Sequence, residues 1–493
     1  MIVSTSTVAD APQRGFFGHP RGLSTLFFTE MWERFSYYGM RAILGYYLYF
    51  SVAEGGLGIP QSTALSLVGI YGASVYMTGI VGGWIADRLI GGQRAVFYGG
   101  FVIMLGHLCL AVPGGMATVL LGLVLLIIGT GLLKPNVSNI VGGLYSEDDT
   151  RRDAGFSIYY MGINVGGFLA PLVCGWLGEK VNWHFGFGAA AVGMALGLVQ
   201  FALGRKHLGS AGQAPVNPLP ADRKSGVLGR AIGIAVLFVL VLGGLFATGL
   251  IGLDGLVNVI SAISALLPIG YFAVMLSSRQ ITEVERDRLL AYIPLFLATA
   301  LFFLLFEQQP NTLANLAEAD TDLTVFGYAI PASWFQSINS LAIIALSPLF
   351  AALWFKLGDR QPNTPRKFAG GLLFVGVAFL WVVLSKVLVG QDKHLPIMLA
   401  LVFVIMTVGE LMLSPVGLSV TTKLAPQAFS SQTMGLYFLA PAMGQGLGAQ
   451  MVKLYSVQDQ VPYFTAIGAA TIACGVLLFI GSRSIRRYMH GVR

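Results

Sequence analysis

Long apolar runs recur along almost the whole chain and indicate its architecture. A helix needs about 20 apolar residues to cross the roughly 30 Å of bilayer hydrocarbon, and fourteen runs of this kind occur. The first six are centred near residues 37, 76, 103, 128, 164 and 194, the next two near 239 and 265, and the last six near 301, 344, 377, 407, 441 and 472. The pattern predicts an all-α membrane protein with fourteen spans, arranged as six, an inserted pair and six.

A segment rich in proline and charge, residues 205–225, separates the first six runs from the inserted pair. Such clusters indicate a linker rather than a regular element. We therefore expect six segments: a cytoplasmic N-terminal tail (1–22), an N-terminal six-helix bundle (23–204), a cytoplasmic linker (205–225), an inserted two-helix hairpin (226–279), a C-terminal six-helix bundle (280–482) and a cytoplasmic C-terminal tail (483–493). The inserted pair carries few polar residues, which favours a lipid-facing appendage over a functional element.

The two sets of six spans resemble copies of each other. Gly99-Gly100 after the second span is matched by Gly370-Gly371 after the eighth of the principal twelve, and the letters FLAP occur at 168–171 and again at 438–441. Transporters are commonly built from such repeats, with the binding site between them. The repeat therefore favours a transporter built from two bundles.

Composition and charge agree with a membrane protein and set its orientation. Only 11% of the residues are charged and 55% are hydrophobic, and long unbroken apolar runs exclude an outer-membrane barrel. Of the 30 Lys and Arg residues, three lie within spans and four at or near one side, whereas the other 23 lie on the side of both termini. The positive-inside rule therefore predicts cytoplasmic termini. We expect the protein in the cell inner membrane, and the formal charge of +7 is no sign of a nucleic-acid partner.

Charged residues inside the spans are the main candidates for function, because each costs at least about 2.5 to 3.5 kcal/mol there. They are Glu30, Glu33, Arg34, Arg41, Lys134, Glu307 and Glu410. On the first span, polar positions 30, 33, 34, 37, 38 and 41 form one helical face. We expect this face to point to a common interior, with Tyr76 as a neighbour. A structural ion-pair ladder is the alternative, but lone charges on three further helices favour a transport role.

A carboxyl group that gains and loses a cationic partner as a protein changes conformation will also release and bind a proton. A near-balanced set of buried acids and bases is therefore a device for coupling proton movement to transport. A substrate with its own carboxylate can compete for the Arg or Lys and leave the Glu free to be protonated.

Four stretches resemble the motifs of the proton-dependent oligopeptide transporters, a branch of the major facilitator superfamily. They are residues 28–41 (FTEMWERFSYYGMR), 82–88 (GGWIADR), 156–166 (FSIYYMGINVG) and 410–418 (ELMLSPVGL). The resemblance covers both halves, and the inserted pair is typical of bacterial members. It implies a major facilitator fold of two six-helix bundles and a proton-coupled symporter that imports di- and tripeptides by alternating access.

The resemblance also implies roles for individual residues. The residues it implies for proton coupling are Glu30, Glu33, Arg34, Lys134 and Glu307. Substrate binding falls to Arg41, Tyr37, Tyr38, Tyr76, Lys134, Asn164, Asn339 and Glu410, and gating to Asp87, Arg88, Arg41 and Glu307. Asn164 and Asn339, taken without the resemblance, are more readily explained as hydrogen-bonding links between helices than as ligand contacts. Phe303 stands where many members carry Trp, which leaves the side-chain preference of the cavity open.

Other functions fit the sequence less well. Six scattered His residues offer neither a metal cluster nor a catalytic pair, so we expect no enzyme activity, no metal and no cofactor beyond the proton as coupling ion. A channel needs a ring of like groups, which these mixed charges do not form. A carrier of nitrate or a peptide-like drug is the serious alternative, although nitrate has no use for the anionic Glu410. The expected partners are peptides, protons and lipid, with no nucleic acid and no obligate protein partner.

Overall fold

In the computed structural model the described residues are 14–146, 149–390 and 392–492, and they are predominantly helical. In chain order the helices begin with α1 Arg21–Tyr49, α2 Gln61–Ile85, α3 Gly92–Ala111, α4 Gly115–Gly143, α5 Arg152–Ala170, α6 Trp176–Lys180, α7 Trp183–Gly204 and α8 Ala221–Ala247. They continue with α9 Leu253–Ser277, α10 Glu283–Phe306, α11 Thr312–Ala319, α12 Ser337–Leu357, α13 Thr364–Val389, α14 Pro396–Leu424, α15 Ser430–Met451 and α16 Gln460–Tyr488.

The helices agree with the apolar runs of the sequence. Every one of the fourteen expected centres lies inside a helix. Within the described residues, eleven helical segments are long and apolar enough to cross a membrane. The chain is therefore a multi-pass helical membrane protein, as predicted, while the full number of fourteen spans stays a prediction because α1, α8 and α15 are outside those eleven.

Two of the expected spans are not regular α-helices from end to end: one contains a π-helical turn and the other is broken. Helix α5 passes through a π-helical turn, Pro171–Gly175, before it continues as α6. Helix α10 ends at Phe306 with Glu307 at its C-cap, and the chain resumes as α11. Pro310 lies within this break, where its missing N–H prevents the α10 ladder from continuing. Glu307 thus lies at a helix end, whereas the sequence placed it within a span.

Two short antiparallel hairpins were not expected from the sequence. Strands β1 (Arg14–Phe16) and β2 (His19–Pro20) form the first, and β3 (Thr324–Val325) and β4 (Tyr328–Ala329) the second. Each turn consists of a Phe and a Gly with positive φ, at positions 17–18 and 326–327, as a tight two-residue hairpin loop requires. The first hairpin lies within the predicted tail of residues 1–22, of which 1–13 are outside the described residues.

The chain forms two compact units. Unit 1 contains the described residues up to Met40, together with Thr78–Ala170 and His184–Leu256. In this unit α3 and α4 approach so closely that a Cβ atom at Gly99 would lie 2.7 Å from the Gly129 carbonyl oxygen, and the reverse distance is also 2.7 Å. Small residues allow this backbone contact, as is common between membrane helices.

Unit 2 contains Arg41–Met77, Pro171–Trp183 and Val257–Arg493. Its helices α13 and α14 repeat the contact of α3 with α4. A Cβ atom at Gly371 would lie 3.0 Å from the Gly409 oxygen, and one at Gly409 would lie 2.8 Å from the Gly371 oxygen. Pro135 in α4 and Pro415 in α14 also stand at matching places inside their helices. The two halves therefore share local packing as well as sequence.

Helix α9 of the inserted pair packs on one side against other helices of unit 2. The Phe272 ring lies against Phe296 of α10 at 5.3 Å between centroids, and the Gln450 side chain of α15 donates to Asn258 Oδ1 at 3.0 Å. Large apolar side chains such as Leu266 and Ile269 are exposed. One packed face and one apolar exposed face agree with the expected position beside lipid.

Candidate functional site

The polar face of α1 is buried, although it carries several charges. Glu30, Glu33 and Arg34 are 2%, 0% and 3% exposed. The Arg34 Nε–H donates to Glu30 Oε1 at 2.8 Å, and Arg34 Nε also lies 2.7 Å from Glu33 Oε2. One guanidinium nitrogen therefore serves two carboxylates. Because the N–H points at Glu30, Glu33 is held by charge alone.

Glu33 is the less compensated of the two acids. Within the described part of the chain, neither of its carboxylate oxygens accepts a hydrogen bond. Lys134 of α4 interacts electrostatically with Glu33 as a second cation. A fully buried carboxylate without hydrogen bonds is costly to keep charged. Protonation or a closer cation would remove that cost, so the cluster is suited to proton exchange.

Tyr159 of α5 completes this cluster and was not singled out from the sequence. It interacts with both Glu30 and Arg34, and its hydroxyl lies 3.5 Å from Ser138 Oγ of α4. A signal was available, because Tyr159 lies three residues before Gly162 and seven before Gly166 on one face of α5. Gly166 lets that face approach α1, since a Cβ atom there would clash with the Met31 carbonyl oxygen.

Asn164 donates a hydrogen bond through its amide nitrogen within its own helix. Its side chain is buried and donates to the Tyr160 carbonyl oxygen of its own helix at 2.9 Å. The hydrogen-bonding link between helices that the sequence left open is therefore not made through this donor. Its expected contact with a ligand stays a prediction.

The tyrosines expected to line a cavity differ in exposure. Tyr37 is 5% exposed and its ring lies 5.4 Å from Arg34 Cζ, whereas Tyr38 is 36% exposed. Tyr76, on the part of α2 that belongs to unit 2, is partly exposed. The predicted proximity of Tyr76 to Tyr37 and Tyr38 joins residues of different units and stays a prediction.

Arg41 and Glu307 form an ion pair within unit 2. Arg41 Nη2 lies 2.9 Å from Glu307 Oε2, and the two side chains are 5% and 12% exposed. Arg41 belongs to the last part of α1, and Glu307 caps the C-terminus of α10. The family resemblance implies that these two residues form a gate, and this role stays a prediction.

The Glu410 carboxylate is held by an amide that the sequence had assigned to the same site. Asn339 of α12 donates to Glu410 Oε2 at 3.1 Å and to Thr407 Oγ1 at 2.9 Å. Thr407 in turn donates to the Phe403 carbonyl oxygen at 2.8 Å. This chain of hydrogen bonds fixes the Asn339 amide beside the Glu410 carboxyl group.

Thr407 and Tyr437 are further residues that the sequence did not indicate. Thr407 lies three residues before Glu410, one turn away on the same face of α14, so helical spacing could have found it. Tyr437 of α15 interacts electrostatically with Glu410, and only packing between helices brings it there. Glu410 also interacts with Glu307, which places the Asn339–Glu410 pair and the Arg41–Glu307 pair in one electrostatic neighbourhood of unit 2.

Asp87 and Arg88 lie in a π-helical turn at the end of α2, Ala86–Ile90. The linker binds this turn through its backbone: Asn217 N–H donates to the Asp87 carbonyl oxygen at 3.0 Å, and Leu219 N–H donates to that of Arg88 at 3.1 Å. The Arg88 side chain donates to the Asn217 carbonyl oxygen. The expected gating pair is therefore attached to the linker, and its role in gating stays a prediction.

Comparison with known proteins establishes the family. The model of the POT family matches residues 93–471, more than half of the chain. The chain belongs to the POT family. The family and the relatives that match are transporters, which are not enzymes.

Similar proteins and solved structures span this POT chain from end to end. A di-/tripeptide transporter of Lactococcus lactis subsp. cremoris is 44% identical over 493 residues, covering 98% of this chain and 99% of the relative. A crystal structure of peptide transporter POT in complex with sulfate is 51% identical, with a TM-score of 0.96 and 100% coverage of both chains. Another, of a mutant of peptide transporter POT in complex with alafosfalin, has 51% identity, a TM-score of 0.93 and 100% coverage of both chains.

Proposed function

We propose that this POT family member is a proton-coupled symporter that imports di- and tripeptides by alternating access. The observation that carries the proposal is the Glu410 carboxylate, oriented by Asn339 at 3.1 Å in the same unit as the Arg41 cation. A zwitterionic peptide needs an anionic and a cationic group to bind its two ends. The activity named for the Lactococcus lactis relative supports the same substrate class.

In the proposed architecture fourteen helices cross the cell inner membrane as two six-helix bundles of the major facilitator type with an inserted pair. Helices α1, α8 and α15 join the eleven apolar segments. Both termini and the linker are cytoplasmic, because most Lys and Arg residues lie on that side of the spans. The domain boundaries follow the six segments expected from the sequence.

Peptide binding uses charge-assisted hydrogen bonds at both ends of the substrate. Arg41 and Lys134 receive the C-terminal carboxylate, and Glu410 with Asn339 and Asn164 receives the N-terminus and backbone. Tyrosines line the cavity and contact side chains of varied size; they are Tyr37, Tyr38 and Tyr76.

Proton coupling uses the α1 cluster. Glu33, with Glu30, shares Arg34 in this conformation and has Lys134 as an alternative cation. When a peptide carboxylate attracts Lys134, Glu33 loses part of its stabilisation and binds a proton. Each proton moving down the membrane potential contributes about 2.3 kcal/mol per 100 mV to uptake.

Gating uses two pairs at different ends of the spans. The Arg41–Glu307 ion pair closes the side opposite to the termini, and its separation admits substrate. The Asp87-Arg88 turn, bound to the linker, moves with the cytoplasmic ends of the helices.

Labelled dialanine uptake into proteoliposomes under an inward proton gradient tests the proposal. We expect accumulation that a protonophore abolishes and that unlabelled dipeptides, but not nitrate, compete away. Glu410→Gln should reduce it, whereas Glu283→Gln, an exposed acid in the first turn of α10, is the matched control. Competition by nitrate without competition by dipeptides would contradict the peptide assignment and favour the anion carrier.

A further inference from the structure

Glu179 joins two segments that lie far apart in the sequence. Glu179 Oε2 accepts the Ala332 N–H at 2.8 Å, and Oε1 accepts the Ser333 N–H at 3.0 Å. Both donors belong to the first turn of the 3-10 helix Ala332–Gln336, which continues into α12. Each carboxylate oxygen therefore accepts one of the N–H groups that a helix start leaves without an intrahelical partner.

The helix start has no cap of its own. The N-cap residue is Pro331, and its side chain makes no capping hydrogen bond. Ala332 and Ser333 are buried, at 1% and 0% exposure, so water does not readily replace a lost acceptor. A carboxylate is also the favoured group at the positive end of a long helix. Glu179 thus provides from α6 the cap that the sequence around Pro331 lacks.

The surrounding contacts hold the same two segments together. Trp334 Nε1 donates to the Leu172 carbonyl oxygen at 3.2 Å, and Trp176 Nε1 donates to the Tyr328 hydroxyl at 3.2 Å. At Gly175 a Cβ atom would clash with Ser333 Oγ, so the glycine permits the close approach. Residues 171–183 and 328–336 therefore form a fitted contact inside unit 2.

We propose that Glu179 is a latch for alternating access: its carboxylate caps the start of α12 only while the side opposite to the termini is closed. The inference rests on the proposed function, in which residues 171–183 belong to the N-terminal bundle and 332–357 to the C-terminal bundle. Opening that side separates the two segments, so the Ala332 and Ser333 N–H groups lose the Glu179 carboxylate as their acceptor. The latch stabilises the closed state independently of the Arg41–Glu307 ion pair, because the Glu179 side-chain carboxylate accepts backbone N–H groups at the start of α12, whereas the ion pair joins α1 to the end of α10.

Spin labels on either side of this contact test the latch. Val52 and Phe326 are 76% and 106% exposed, and each is replaced by Cys after the native cysteines have been changed to Ala. Pulsed electron–electron distance measurements in lipid then report the closed and open populations. We expect Glu179→Ala to raise the ratio of open to closed molecules about tenfold, as loss of charge-assisted hydrogen bonds implies, and Glu179→Gln to raise it less.

Two further variants distinguish loss of the latch from a non-specific effect of removing a carboxylate. Glu285→Ala removes a carboxylate that accepts the N–H groups of Thr282 and Gln427 within the C-terminal bundle alone, and it should leave the distances unchanged. Ala332→Pro removes one donor at a first helical position that tolerates proline, and it should shift the distances in the same direction as Glu179→Ala.

Unchanged distances in both Glu179 variants and in Ala332→Pro would overturn the latch, and so would an equal shift in Glu285→Ala. Dialanine uptake by the unsubstituted protein is measured in the same liposomes. If uptake fails while the Glu179 distances shift, the substrate assignment is wrong and the latch stands; if uptake succeeds without a shift, only the latch is wrong.

Discussion

Arg41 Nη2 lies 2.9 Å from Glu307 Oε2, and the two residues come from helices that are far apart in the sequence. Both side chains are mostly buried, so each charge depends on the other. Removing one partner of a buried pair leaves an uncompensated charge and costs about 3 to 5 kcal/mol, whereas replacing both partners costs less.

Glu307→Gln should therefore destabilise the protein by a few kcal/mol, on the order of 3. The double variant Arg41→Gln with Glu307→Gln should recover much of that loss, because no charge is left unpaired. Denaturant unfolding in detergent measures both. A double variant as unstable as the sum of the two single variants would show that the pair is not the source of the stability.

Glu33→Gln should abolish proton-driven accumulation of dipeptide and leave exchange of peptide across the bilayer intact. The amide cannot bind and release a proton, but it occupies the same buried space beside Arg34. Uptake under a pH gradient and counterflow at equal pH measure the two activities on one preparation. Glu283→Gln is the control, and full gradient-driven accumulation by the Glu33 variant would contradict the coupling role.

Glu410→Ala should weaken binding of dialanine about 10- to 100-fold, the range expected when a hydrogen bond to a charged group is lost. N-acetyl-dialanine lacks the charged amine, so its affinity should change much less. Inhibition constants in the uptake assay compare the two peptides. Thr407→Val, which removes the hydroxyl that accepts from Asn339 and donates to the Phe403 carbonyl oxygen, should have a smaller effect in the same direction. Equal losses for both peptides would argue against contact with the amine.

His394 should make folding sensitive to acid. It lies between α13 and α14, is 1% exposed, and contacts Ser385 Oγ at 2.7 Å and Gln460 Oε1 at 3.3 Å. Burial lowers its pKa, and Lys386 lowers it further, while Gln460 and Asp320 act in the opposite direction. The unfolded chain therefore binds a proton at this residue more readily than the folded protein does.

The contribution of His394 to the free energy of unfolding is fully present at a pH above the ordinary histidine pKa. It is lost as the pH falls below that pKa. His394→Gln should show a smaller difference in melting temperature between neutral and mildly acidic buffer than the unsubstituted protein shows. His490→Gln, which removes a half-exposed imidazole, controls for the loss of a histidine as such. If His394→Gln shows the same difference in melting temperature between the two buffers as the unsubstituted protein, His394 does not contribute to the acid sensitivity of folding.

Periodicity and charge were sufficient to predict the helices and the buried charged face of α1. Glu30, Glu33 and Arg34 occupy one face of a single helix. Arg34 contacts both acids because it lies four residues after Glu30 and directly after Glu33. Thr407 beside Glu410 could have been found by the same spacing. The break of α10 at Glu307 was missed, since the apolar run continues up to it without an interruption.

The amino-acid sequence by itself determined which stretches are apolar helices, which face of α1 is polar and which charges must be buried, because these depend on composition and on spacing within one element. Only the tertiary structure decided that Glu307 pairs with Arg41, that Asn339 holds Glu410 and that Glu179 caps the start of α12. Each of these contacts joins separate helices, and the choice of partner depends on packing, which small residues such as Gly175 permit and which no local pattern encodes.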